Sequence, residues 1–188
     1  MLELLGRAKL AFERVTGGVK VIDTDHAMVH EKKAFSAHIE LATLPATVEY
    51  LFMASAELYI HFKNIRLQAV GGTVRMTVLR GATITDPGTS GPPDLIGPNN
   101  LNDALGAPAS TVAITKGVTY TGGTVWDILK VLGSSTNQFV SVAYTQMSPN
   151  YELAMRRSAP YILRIEKVGA DTPANVTVNM FWYEEDWV

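Results

Sequence analysis

The residue types best suited to chemistry gather near the N-terminus. Asp23, Asp25, His26, His30 and Glu31 fall within nine residues, and carboxylate oxygens with imidazole nitrogens are the ligands of zinc and related ions. On a helix, His26 and His30 would share one face. The spacing departs from metal motifs, however. Ala27 stands where HExxH requires a glutamate, and no pair of histidines one residue apart suggests a cupin. The pattern favours a solvated turn capped by Asp and Thr side chains. No metal and no cofactor is therefore assigned.

Nucleophilic catalysis fares no better. There is no cysteine and no GxSxG, and serine–histidine pairing does not follow from spacing alone. Glu184-Glu185-Asp186 is the one acidic run, and a glycosidase needs two carboxyls held apart across a cleft. This run reads as a solvated chain end. Its neighbours Trp182, Tyr183 and Trp187 have the amphipathic rings favoured in contacts with a partner or a sugar. The chain is read as non-enzymatic.

Composition agrees with an ordinary folded domain. A chain of 188 residues suits one sizeable core. With 47% hydrophobic and only 18% charged residues, some surface is left for other chains to cover. A net charge of −2 gives no basic field for nucleic acid. The absence of cysteine fits a reducing compartment or a fold without covalent staples. No stretch approaches the ~18 apolar residues of a membrane span. The start, MLELLGRAKLAFERV, lacks the order of a signal peptide, so export by a classical route is not expected.

The elements that would position these residues are mostly strands. Leu58 to Arg80 contains two runs joined by Gly71-Gly72, a strong signal for a two-residue hairpin. Pairing Val70 with Thr73 would set Leu67 against Met76 and Ile65 against Val78, with one face apolar. The apolar parity changes between Phe62 and Ile65, which predicts a β-bulge at Lys63-Asn64. Strict alternation marks Ala34 to Ala42, with Phe35, Ala37, Ile39 and Leu41 on one face. It recurs at Tyr161, Leu163 and Ile165, and again at Val176, Val178, Met180 and Trp182. Val48–Met53, residues 110–124 and Gln138–Thr145 also read as strand, whereas Trp126–Leu132 fits a helical turn or an edge strand. Residues 2–15 follow a helical spacing closed by Gly17-Gly18. Asp86 to Ala109 has nine Gly or Pro among 24 residues, and its Leu95, Ile96, Leu101 and Leu105 suggest a loop lying on its own surface or on a neighbouring subunit. About eight strands without βαβ alternation predict an all-β fold. The expectation is a jelly-roll-like antiparallel β-sandwich over residues 18–188, preceded by a short N-terminal helix or arm (1–17) and carrying one long Gly/Pro-rich loop.

Two segments frame a family resemblance. They are DTDHAMVHEKKAF (Asp23 to Phe35), with its His-x3-His-Glu-x-Lys-x-Phe order, and NMFWYEE (Asn179 to Glu185). Between them stand the Gly-Gly turn, the Gly/Pro/Asn-rich loop and the Pro-Tyr-x-Leu-Arg strand at Pro160 to Arg164. This order resembles small structural proteins of tailed-phage virions that decorate or cement the head. The resemblance implies a jelly roll that assembles as a homotrimer in the host cytoplasm and binds the major capsid protein on the capsid surface. It implies partners of protein, with no nucleic acid and no membrane. The apolar residues expected to make the contact are Leu2, Leu5 and Phe12 in the arm and Leu95, Ile96 and Leu101 in the loop. Two alternatives are carried beside it. One is a carbohydrate- or receptor-binding jelly roll of a tail or fibre, with Trp126, Trp182 or Trp187 as stacking platforms. The other is a cupin-like metal enzyme using His26, His30 and His38.

Overall fold

The computed structural model describes residues 8–12, 19–23, 29, 31–53, 58–102, 106–132, 142–146 and 153–185. All the regular elements among them are strands. In chain order these are β1 (Ala8–Phe12), β2 (Val19–Asp23), β3 (Ala34–Thr43), β4 (Val48–Met53), β5 (Tyr59–Val70), β6 (Thr73–Asp86) and β7 (Thr89–Ser90). They continue with β8 (Leu95–Asn100), β9 (Ala113–Lys116), β10 (Thr119–Leu132), β11 (Val142–Gln146), β12 (Leu153–Met155), β13 (Pro160–Val168) and β14 (Ala174–Glu185).

The chain builds the expected all-β antiparallel sandwich. One sheet runs β10-β6-β13-β4-β9-β7, and the other runs β11-β5-β14-β3-β8, with β12 also on the free edge of β5. Alternation does the work, because side chains on a strand point to opposite faces in turn. Phe35, Ile39, Ile65, Leu67, Met76, Leu163, Val178 and Trp182 are all buried between the sheets. At the centre, the Trp182 ring stands edge-on to Phe52 at 5.4 Å, with Phe62 at 5.9 Å and Phe35 at 6.2 Å. The bulge lies where the parity change predicts it. Phe181 opposes Asn64 and Trp182 opposes Phe62, so Lys63 is the extra residue.

Three expectations need correcting. First, Gly71-Gly72 does not close a hairpin. Both glycines have φ of 63° as a primed turn requires, yet β5 and β6 belong to different sheets. The turn is an arch over the core. Ile65, Leu67 and Ala69 therefore lie across the interior from Val74, Met76 and Val78, not beside them. The edges that a hairpin would have used are taken, on β5 by β14 and β11 and on β6 by β13 and β10. Second, the helix read over residues 2–15 is not formed where the structure describes it. Ala8–Phe12 is strand and pairs with Val19–Asp23, Leu10 opposite Val21 and Phe12 opposite Val19. Ala8, Leu10 and Phe12 also satisfy a period of two, and a strand partner supplies backbone hydrogen bonds that a helix weakened by Gly6 must find alone. Third, the stretch read as one long loop forms strands of its own. Its β8 pairs with the edge of β3, and its β7 pairs with β9.

Candidate functional site

Among the described residues, a concave surface lies on the outer face of each sheet. The first is a groove of about 500 Å3 over the β8-β3-β14-β5 side. Strand register lays its floor in two rows. One row runs Ile96, His38, Asn179, Arg66, and the next runs Asn99, Ser36, Phe181, Asn64. On β3, β5 and β14 these residues alternate with core residues, so the tight packing inside fixes the floor outside. The His38 Nε2–H donates to Glu40 Oε1 at 2.8 Å, and its Nδ1 meets the side-chain amide of Asn179. The Phe181 ring stands edge-on to Tyr183 at 5.2 Å. Asn64 Oδ1 is buried and has no hydrogen-bond partner among the described residues. Ile96 and Leu101 form an exposed apolar rim.

Polar side chains hold that rim in place. Asp94 stands just before β8 and ties the loop to both sheets. Its carboxylate accepts from Tyr50 Oη on β4 and from Lys116 Nζ on β9 at 2.6 Å, and its carbonyl accepts from the Glu40 amide on β3 at 2.9 Å. Burial alone would raise the Asp94 carboxyl, but the hydrogen bonds from Lys116 and Tyr50 outweigh it and hold the group below its ordinary value. Burial and the neighbouring carboxylate push the Tyr50 phenol well above its own. Further along, Asn100 Nδ2 donates to the carbonyls of Lys32 and Pro108, and Asn102 Nδ2 donates to that of Val29. Glu184 finishes the strap. It accepts from Ser110 Oγ, from the Thr111 amide at 2.8 Å and hydroxyl at 2.6 Å, and from Trp182 Nε1 at 3.1 Å.

The second surface is a cleft of about 610 Å3 on the opposite sheet, with Glu49, Lys116, Arg164 and Glu166 in its lining. Its carboxylates are paired. Glu49 Oε1 accepts from Arg164 Nε and Tyr120 Oη, both at 2.7 Å, and Glu166 accepts from Arg75 Nε at 2.5 Å. The Glu49 hydrogen bond holds the Arg164 guanidinium above its ordinary value although burial opposes it. These groups neutralise one another, which is the pattern of a structural ion-pair network.

The residues singled out from sequence are distributed as follows. Leu95, Ile96 and Leu101 come together at the groove, Leu95 packed against the core and the other two exposed. Phe12 ends β1, and Leu2 and Leu5 lie outside the described residues, as do His26, His30 and Trp187. Among the described residues no three potential ligands cluster for a metal. Trp182 is fully buried, which removes it as a stacking platform, and Trp126 is packed on Tyr161 at 5.1 Å. The acidic run is not a solvated end over its first two residues, since Glu184 and Glu185 are buried. Sequence reasoning missed the floor of the groove. Its signal was present in the polar positions of β3, β5 and β14, but β8 lies in the stretch read as a loop, and which strands lie side by side was not legible. No helix among the described residues is long and apolar enough to cross a membrane. Compared with protein-family models, curated proteins and solved structures, the chain matches none.

Proposed function

We propose that this chain is a non-enzymatic structural protein of a tailed-phage virion, a homotrimer that docks between major capsid subunits and cements the head. One observation carries the reading. The large apolar residues exposed among the described ones form two pairs, Ile96 (52%) with Leu101 (41%) and Val125 (51%) with Ile128 (53%). The first pair sits on or just after β8, an edge of one sheet, and the second on β10, an edge of the other. Since β10 lies against β5 and β11, the two pairs occupy opposite sides of the sandwich. A bridging protein needs two separate contacts, and simultaneous engagement of both multiplies modest individual affinities. A standard contact of ~800 Å2 per partner supplies several kcal/mol at ~25 cal/mol per Å2 of apolar area before ordering costs. The strap through Asp94, Asn100 and Glu184 supports the same reading, because a contact residue held rigidly loses little entropy on binding.

The test is co-sedimentation of the protein with expanded, empty heads of the phage that carries it. Wild-type protein is expected to travel with the heads. Ile96→Asp and Ile128→Asp should each weaken binding at least ~10-fold, since a charge placed in an apolar contact costs more than 1.4 kcal/mol. Free protein left at the top of the gradient would overturn the reading.

A further inference from the structure

The groove on the β8-β3-β14-β5 face has a chemistry that the docking reading leaves unused. Protein contacts at their centre are apolar and dry, whereas this floor sets amide, hydroxyl and imidazole side chains and a guanidinium among its apolar groups, running from the edge strand β8 inward across the sheet face to β5. We infer that it is a saccharide-binding site, taking a short oligosaccharide across the two rows of side chains.

Three observations lead there. The first is the type of group. Asn64, Asn99 and Asn179 each present a donor and an acceptor in one plane, and the Ser36 hydroxyl does both. Sugar hydroxyls are also donor and acceptor at once, so vicinal pairs match side-chain amides, whereas a phosphate or carboxylate offers acceptors only. Arg66 adds donors, and among the described residues no carboxylate lines the groove. The second is an unmet need. Asn64 Oδ1 is buried without a partner among the described residues, and such a group costs ~1–3 kcal/mol until a donor reaches it. A sugar hydroxyl supplies that donor once the Asn64 amide turns toward the groove it lines. The third is shape. A volume of about 500 Å3 lies within the ~300–1,000 Å3 of small-ligand sites. Phe181, held by Tyr183 at 5.2 Å, offers a ring to the weakly positive C–H face of a pyranose.

The inference does not depend on the virion reading, and the two fail separately. The fluorescently labelled full chain is applied to an array of bacterial and animal oligosaccharides, and the strongest binder is then titrated calorimetrically. Binding to at least one oligosaccharide is expected. Asn64→Ala and Phe181→Ala should each weaken it ~10-fold, the size of one lost hydrogen bond or ring contact. Asn99→Ala, on the exposed edge strand, serves as the variant least able to disturb folding and should weaken it in the same direction. Glu49→Gln, in the opposite cleft, should leave it unchanged. Absence of binding up to about 10 mM, or binding that Asn64→Ala and Asn99→Ala both leave intact, overturns the inference. So does capture of a capsid-derived peptide, but no glycan, that is lost in Asn64→Ala.

Discussion

Asp94 shows how much one side chain settles in this fold. Its carboxylate holds Tyr50 and Lys116, and its carbonyl holds β3, so the start of β8 is fixed from both sheets. Because the folded protein keeps this carboxyl below its ordinary value, the ionised form contributes stability that is complete above the unfolded value of ~3.9 and is lost as pH falls through the folded one. Asp94→Asn should therefore lower stability by about 1–3 kcal/mol at neutral pH, and the two melting curves should converge as the solution is acidified below about pH 4. Thermal melts from neutral to strongly acid pH measure this, and parallel curves would refute it. Glu184 plays the matching part at the other end of the strap. Glu184→Ala leaves Trp182 Nε1 and the Thr111 amide without their acceptor in a buried setting, and a loss of about 3 kcal/mol is expected in denaturant titration. Glu184→Gln keeps one acceptor and should cost less.

At the scale of elements, the strap β8 decides whether Ile96 is displayed at all. Gly97 interrupts its pairing with β3, with a φ of 98°, and a Cβ there would stand 2.8 Å from the Ser36 carbonyl oxygen. The atom it would meet belongs to the backbone of β3, so a strand must move. Gly97→Ala is expected to cost about 2 kcal/mol and to speed amide hydrogen exchange at Ser36–His38 while leaving β6 and β13 protected. Uniform loss of protection would mean that β8 is not a separable strap. The arch at Gly71-Gly72 works at the same scale. Gly72 lies close to Pro173, where a Cβ would approach to 3.0 Å, so the turn also abuts the connection leading into β14. A pattern of two apolar runs and two glycines is common to arch and hairpin. The choice falls to the competing strands, since β14 collects β3 and β5 into one sheet and β13 collects β4 and β6 into the other.

For the whole molecule, the proposed docking role predicts assembly through the two exposed apolar pairs. Native mass spectrometry of the purified chain is expected to give a metal-free trimer. A monomer carrying one metal per chain would return attention to His26 and His30. The terminal ribbon of β1 and β2 is a two-stranded sheet of its own, and such ribbons are marginal in water without further packing. Removal of residues 1–15 takes away the whole of β1 and is expected to abolish head binding while leaving a folded trimer. Unchanged co-sedimentation would exclude the arm from the contact.

The sequence alone determined what each strand buries. Phe35, Ile39, Leu163, Val178 and Trp182 lie inside because a period of two leaves no other face for them, and the bulge at Lys63 was visible because parity breaks there. Period-two patterns are local, and they survive whatever the neighbours are. Tertiary structure alone decided who the neighbours are. It turned an apparent hairpin into an arch, Ala8–Phe12 into strand, and an acidic terminus into the buried acceptor of a strap. It also brought Ser36, Asn64, Asn99 and Asn179, from four strands spread along the chain, into one groove. Strand pairing is a competition among distant segments for a limited number of edges, and its outcome is set by the sum of backbone hydrogen bonds and buried area over the sandwich. No single stretch of sequence carries that sum.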